Sequence, residues 1–307
     1  LFVALERVKY EFPADVNVPT TWEKLALDLA AHDSVLAIVN SRADCRALHA
    51  LMPEGTIHLS ALMCGEHRSQ VITEIKQRLK AGESVRVVST QLVEAGVDMD
   101  FPVVYRAMAG LDSIAQAAGR CNREGKLARG KVVVFVPPKP APIGLLRKAE
   151  QATKSLLATG IPTSLRPELF TQYFGLFYGA IDDRRAREID ELLKVDAPTL
   201  GCAFRSAAAA FKLIDDQNQR AVYVRYLDSE QWLGMLAMNG PERWLLRKLQ
   251  RYSVSLSVRT IDEMMNRGDI APVYRDDFLA LTSSALYGKF GVKICSDQPL
   301  PANDLVI

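Results

Sequence analysis

The sequence predicts an α/β fold: a mostly parallel sheet with flanking helices, followed by a helical connector and a small α+β C-terminal domain. Three observations carry this prediction. Between Val35 and Val136, short apolar runs alternate with segments of helical period, the pattern of strand–helix units wound around a parallel sheet. The runs are apolar throughout, as strands covered on both faces must be. Pro137, Pro138, Pro140 and Pro142 then form a cluster that no central strand tolerates, which sets a boundary near residue 140.

The elements follow in order. Leu1 to Phe12 alternates apolar and polar residues like a strand, and because the chain opens on Leu1 rather than Met, it is expected to be a piece of something longer. Val35 to Val39 is a strand; Asn40-Ser41-Arg42 follows it, and Ala47, Leu48 and Leu51 then share one helical face. Thr56 to Leu59 is a second strand, after which Val71, Ile72, Ile75 and Leu79 recur at helical spacing until Gly82 stops the helix. Val85 to Val88, Val103 to Tyr105 and Lys131 to Val136 complete the sheet, with a helix from Asp112 to about Cys121. Residues 1–140 thus form the first domain. Residues 141–200 read as a helical connector whose interleaved charges imply a solvated face. Residues 201–307 read as an accessory domain with a helix at Ser206 to Lys212, strands at Ala221 to Tyr226 and Tyr252 to Val258, and a helix at Ile261 to Asn266.

Composition excludes several classes. Hydrophobic residues make up 49% and charged residues 24% of the 307, so the chain is neither disordered nor short of core. No apolar run approaches the roughly 18 residues of a membrane span. A formal charge of +2 gives no argument for nucleic acid by itself, so any phosphate binding must come from local arrangement. The 5 cysteines include no CxxC pair, which argues against a zinc site or a disulfide framework and for a reducing cytoplasm. The histidines His32, His49, His58 and His67 are scattered, so no metal ligands are assigned.

Chemistry concentrates in loops that follow strands, and in open α/β sheets that carboxyl edge is where ligands bind. Ser89-Thr90 lies at a strand end, where hydroxyls and helix-start amides can meet a phosphate, or can simply cap the turn. Gly96 lets this loop turn, and Asp98 can accept from a hydroxyl or hold an arginine. In Gln116 to Gly125, Arg120 and Arg123 are spaced to project from one face of a helix end and reach one polyphosphate, with Gly119 leaving room beside them. A solvated basic helix end has the same pattern. Ser41 and Ser60 follow the first two strands and are, singly, ordinary turn residues. Trp22, Trp232 and Trp244 suit a core better than a base-stacking platform.

The order of these loops is more specific than any one of them. Ser41 after the first strand, Ser60 after the second, Ser89-Thr90 with Glu94, Gly96 and Asp98 after the third, and Gln116, Gly119, Arg120 and Arg123 before the last resemble motifs IV, IVa, V and VI in the second RecA-like domain of superfamily 2 helicases. Glu94 to Phe101 and Gly119 to Gly125 most resemble the CRISPR-associated helicase–nuclease family of type I interference systems. Leu249 to Val254 and Leu286 to Gly291 resemble that family's C-terminal domain more faintly. Ala117 stands where DEAD-box RNA helicases carry another arginine, which argues against that branch.

The resemblance implies a division of labour. Arg120 and Arg123 would be arginine fingers facing the γ-phosphate of ATP, with Gln116, Gly119, Gly96 and Asp98 at the same nucleotide site. Ser41, Ser60, Ser89 and Thr90 would touch phosphates of single-stranded DNA, irrespective of base sequence. ATP and its Mg²⁺ would be held mainly by a preceding RecA-like domain, since this chain has no GxxxxGK[ST] and no DExH or DExD. The 307 residues alone are therefore expected not to hydrolyse ATP. Further implied partners are a nuclease domain and an RNA-guided surveillance complex, with 3′ to 5′ tracking in antiviral defence and no role for a membrane. Another superfamily 2 helicase, or a non-catalytic module on the same scaffold, remains the alternative. The motor reading requires that neither guanidinium be buried in a salt bridge turned away from the nucleotide. It also expects Arg120→Ala and Arg123→Ala to leave stability nearly unchanged, as exposed arginines contribute little.

Overall fold

The structure, a computed structural model, describes residues 7–94, 96–181, 184–195, 201–211 and 218–294. The first sheet contains β1 (Val8–Glu11), β2 (Val35–Ile38), β3 (Ile57–Leu59), β4 (Arg86–Ser89), β5 (Val103–Ala107) and β6 (Gly130–Phe135). They lie in the order β1-β6-β5-β2-β4-β3, and every neighbouring pair is parallel. The Leu1 to Phe12 strand is present as β1; residues 1–6 lie outside the described residues.

Each apolar run splits between two cores. Leu36, Ile38, Val87, Val104 and Val132 face Ile75 of α3 (Gly65–Lys80) and Ala117 and Ala118 of α4 (Leu111–Ala118). Val35, Ala37, Val39, Val88 and Tyr105 face the other way, onto Leu25 and Leu29 of α1 (Trp22–Ala30) and Cys45 and Leu48 of α2 (Arg42–Ala50). Successive strand side chains point to opposite faces, so a strand buried on both must be apolar at every position. The sequence reading did not anticipate α1, which Thr21 caps by accepting from the Lys24 amide at 3.3 Å. Trp22 packs edge-on against Phe135 and is a core residue.

Beyond β6, α5 (Leu145–Ala158) and α6 (Pro167–Gly179) pack on α4, where Leu111, Ala152, Leu156 and Tyr173 form one core. The Tyr173 hydroxyl donates to Asp112 at 2.8 Å. Next come α7 (Arg184–Leu193) and α8 (Phe204–Ala210); Lys212, the end of the expected helix, lies outside the described residues.

A second sheet has β7 (Gln219–Tyr223), β8 (Ser253–Ser257), β9 (Ile270–Tyr274) and β10 (Phe278–Leu281) in the order β8-β7-β10-β9. Only the β7–β10 pairing in it is parallel. Helices α9 (Ser229–Asn239), α10 (Arg243–Leu249) and α11 (Val258–Asn266) accompany it, and a hairpin of β11 (Tyr287–Gly288) and β12 (Gly291–Val292) follows.

This second body is welded to the first at the loop after β3. Leu62 and Cys64 are buried in the same core as Val254, Tyr287 and Val292. The Val292 amide donates to the Leu62 carbonyl at 2.9 Å, and the Tyr287 hydroxyl accepts from the Cys64 amide at 2.9 Å. Arg251 pairs with Glu66 at 2.7 Å, and the Phe290 ring stands edge-on to His49 and His58, at 5.1 and 4.9 Å. Gly291 makes the close approach possible, with φ +85° and a hydrogen where a Cβ would lie 1.9 Å from the Leu62 oxygen. The two segments of fainter resemblance, around Arg251 and Tyr287, are thus the docking surface. Among the described residues no helix is long and apolar enough to cross a membrane.

Candidate functional site

Ser41, Ser60, Ser89 and Thr90 stand where expected, at the carboxyl ends of β2, β3 and β4. Ser41 caps α2, accepting from the Asp44 amide at 3.0 Å, and the Ser89 hydroxyl donates to the Thr90 carbonyl at 3.0 Å. The Ser60 and Thr90 hydroxyls have no hydrogen-bond partner and are closed off from solvent.

Gln116 lines a cavity with Gln91 and Gly110, just past the ends of β4 and β5, but the other predicted residues are not at that edge. Parallel strands oblige every connection to return: residues 90–102 run from the end of β4 back to the start of β5, and α4 runs from the end of β5 toward the start of β6. Gly96, Asp98 and the 119–125 loop lie along these returns. Phe101 bridges Cys121, and the Asp100 carboxylate accepts from the amides of Arg123, at 2.7 Å, and Glu124, at 3.3 Å. Asn122, in the left-handed region at φ 46°, closes the loop by accepting from the Leu127 amide at 2.9 Å and donating to the Leu127 carbonyl at 2.8 Å.

Arg120 and Arg123 do not share a helix face, because α4 ends at Ala118 and Gly119 is already its cap. Arg120 is 7% exposed and turns inward, donating from Nε to the Val93 carbonyl at 2.8 Å and from Nη2 to the Glu94 carbonyl at 2.6 Å. Burial, then the charge of Arg123, lowers its pKa from the usual arginine value. Arg123 is exposed, with Nε 2.8 Å from Asp98 Oδ1. Among the described residues Arg120 is buried without a salt bridge, and Arg123 has a salt bridge without burial. Gly96 turns the returning chain at φ +71°, and Gly96, Asp98, Gln116, Gly119 and Arg123 are all exposed. The premise of the equal-stability expectation, an exposed side chain, does not hold for Arg120, whose two bonds to buried carbonyls make it part of the packing as well.

The sequence reading missed what lies beneath. Glu94 and Arg106, 8% and 1% exposed, form an ion pair with Nε 2.7 Å from Oε1 but off-line for a hydrogen bond. Arg106 also donates to Asn40 Oδ1 at 2.6 Å and to Ser113 Oγ at 2.9 Å, and Ser113 donates to Glu94 Oε2 at 2.7 Å. A signal was present: an arginine inside the apolar run Val103-Val104-Tyr105-Arg106-Ala107 requires a buried counter-charge.

Residues 31–126 match the family model described as CRISPR-associated nuclease/helicase Cas3, C-terminal. The CRISPR-associated nuclease/helicase Cas3 of Haloferax volcanii is 41% identical over 95 residues, covering 29% of this chain and 10% of that protein. The crystal structure of T. fusca Cas3 with ATP superposes with a TM-score of 0.58 at 16% identity, over 90% of this chain and 39% of that one. A chain in a structure titled CRISPR RNA-guided surveillance complex, pre-nicking, matches at 0.52 and 16%, over 90% of this chain and 41% of that one. This chain therefore spans well under half the length of the relatives it matches. Residues 31–126 are a Cas3-like C-terminal segment, and nine-tenths of the chain has the fold found in Cas3.

Proposed function

We propose that this chain is the second RecA-like lobe, with its accessory domain, of an ATP-driven single-strand DNA translocase acting with a nuclease in CRISPR defence. The observation that carries the reading is the exposed Arg123–Asp98 pair beside the inward-turned Arg120, whose guanidinium rests on the Val93 and Glu94 carbonyls just ahead of Gly96. An exposed guanidinium steadied by one carboxylate suits an anion offered from a facing surface, since a planar fork matches phosphate oxygens. Arg123 would meet the terminal phosphate, Arg120 would back it, and Gln116 and Asp98 would border the nucleotide. ATP, with Mg²⁺ bound on another lobe, supplies a phosphoryl group whose transfer to water releases the free energy for movement. Ser41, Ser60, Ser89 and Thr90 would serve the DNA side; all four are buried at the carboxyl edge, so contact with a phosphate would require that edge to open. The matched chain titled as part of an RNA-guided surveillance complex supports such a complex as a partner.

The test is ATP hydrolysis by the complete protein with and without single-stranded DNA. Arg123→Ala should abolish DNA-stimulated turnover while the protein keeps its melting temperature. A scaffold without catalysis is the second reading, favoured by the fact that both arginines already have partners within the chain. Unchanged turnover in Arg123→Ala and Arg120→Ala would establish it. Stimulation by RNA in place of DNA would assign the chain to another helicase class.

A further inference from the structure

Glu94 bonds in two directions at once. Its main-chain carbonyl accepts from Arg120 Nη2 at 2.6 Å, while its buried carboxylate faces Arg106 and accepts from Ser113. Arg106 in turn holds Asn40 Oδ1, and Asn40 lies directly before Ser41 at the carboxyl edge. The Asn40 amide group donates to the Met108 carbonyl at 2.8 Å, and Gln91 Nε2 donates to the Asn40 carbonyl at 3.1 Å. A continuous set of bonds therefore joins the loop after β2, the strand β5, the start of α4 and the returning segment on which Arg120 rests.

We propose that the Glu94–Arg106 ion pair positions Arg120 and ties its placement to the loop that carries Ser41, so that the nucleotide side and the nucleic-acid side of the lobe move as one unit. This rests on the function proposed above. Three physical points support it. Among the described residues between Gln91 and Asp100 none belongs to a strand or bridge, so an anchor at Glu94 limits where the carbonyls of this segment can sit. Both charges are buried, and a buried pair holds only in a narrow geometry because each partner needs the other. Arg106 reaches Asn40, Ser113 and Glu94 from three different nitrogens of one planar fork, Nη1, Nη2 and Nε, a spread that the single nitrogen of a lysine does not have. Arg106 and Glu94 touch neither nucleotide nor DNA in this scheme, and they act through Arg120.

The experiment uses the complete protein and measures kcat and KM for ATP, the single-stranded DNA concentration giving half-maximal stimulation, and the melting temperature. Glu94→Gln keeps the side-chain shape and the acceptor for Ser113 but removes the charge. Its kcat should fall roughly tenfold or more, since misplacing a catalytic group by about 1 Å can cost that much, with KM for ATP within about twofold of the parent. Arg106→Met alone leaves a buried carboxylate unpaired and is expected to be strongly destabilised, so Glu94→Gln combined with Arg106→Met is the decisive variant. Removing both charges should raise the melting temperature above that of Arg106→Met, short of the parent because Asn40 Oδ1 loses its donor, while kcat stays low and the half-maximal DNA concentration no longer depends on bound nucleotide. A double variant with parental stability and parental kcat overturns the inference. If Arg120→Ala is inactive while Glu94→Gln is unaffected, the positioning role alone falls. If the parent protein lacks DNA-stimulated turnover, or Arg120→Ala leaves it intact, the proposed function falls and the inference with it.

Discussion

Arg123 Nε lies 2.8 Å from Asp98 Oδ1 at the protein surface, while the amide of the same arginine donates to Asp100. Main chain and side chain are thus held by two different aspartates of one returning segment. The Asp100 contact sets where the residue stands, and the Asp98 contact sets where its charge points.

The two contacts predict different outcomes. Asp98→Asn breaks an exposed pair, so stability should change by no more than about 1 kcal/mol, read by denaturant unfolding. Asp100→Ala removes the acceptor of two solvent-exposed amides of the 119–125 loop and should cost somewhat more, about 1–2 kcal/mol. In the complete protein Arg123→Ala should lower turnover by roughly 10³-fold, and Arg123→Lys should not restore it, because an ammonium lacks the planar fork. Restoration by lysine would mean that only charge matters there.

Arg120 separates from Arg123 by stability. Arg120→Ala deletes two charged hydrogen bonds to buried carbonyls, and at roughly 1.5–3 kcal/mol for a bond to a charged group the loss should be visible as a lowered melting midpoint. Arg123→Ala should leave the midpoint within about 0.5 kcal/mol of the parent, as exposed substitutions usually do. Equal midpoints for the two variants would contradict the inward orientation of Arg120.

Gly291→Ala tests the weld between the two bodies. A Cβ there would sit 1.9 Å from the Leu62 oxygen at a φ of +85°, so backbone strain of about 1–3 kcal/mol adds to a clash with main chain that has no soft way to yield. The hairpin should detach, lowering the melting temperature by several degrees and opening the segment near residue 290 to proteolysis. Gly288→Ala is the control, because its nearest neighbour is the flexible Lys293 side chain at 3.4 Å. Equal protease resistance in both variants would show that the hairpin is not held this way.

What the sequence disclosed follows from what local pattern can encode. The strands from Val35 to Val136 were legible because burial on both faces leaves unbroken apolar runs, and the turn at Gly96 left Asp98 either a hydroxyl or an arginine as partner, of which the structure has Arg123. α1 was missed, since nine residues of mixed polarity around Leu25 and Leu29 give only a narrow stripe. β9 to β12 are short and interrupted by Pro272, Gly288 and Gly291, which read as turns. The Glu94–Arg106 pair was hidden because its partners lie on a crossover and a strand, and no periodicity records which buried charges meet. The burial of Arg120 was hidden for a related reason: two residues spaced for one helix face lose that relationship when the helix ends at Ala118.

His58 predicts a pH effect with a definite sign. It is buried on β3 beneath Phe290, with Nδ1 3.4 Å from Cys45 Sγ and no hydrogen-bond partner at Nε2. Burial first, then the charges of His49, Arg46 and Lys289, push its pKa down to about 3. A histidine whose folded pKa lies below its unfolded value favours the folded state fully above about pH 6.5, and that contribution is lost as pH falls toward 3. One proton gives a slope of at most about 1.4 kcal/mol per pH unit across that window. His67, lowered by burial at the same interface, adds to the trend in the parent, so the comparison must isolate one ring. His58→Phe does so, keeping an aromatic face toward Phe290 while removing the titrating group. Melting temperatures measured from pH 7 to pH 4 should fall less steeply for His58→Phe than for the parent, with the gap widening as pH drops. Parallel curves would mean that His58 finds a proton-accepting partner or water on the way to acid, and that the hairpin does not seal it.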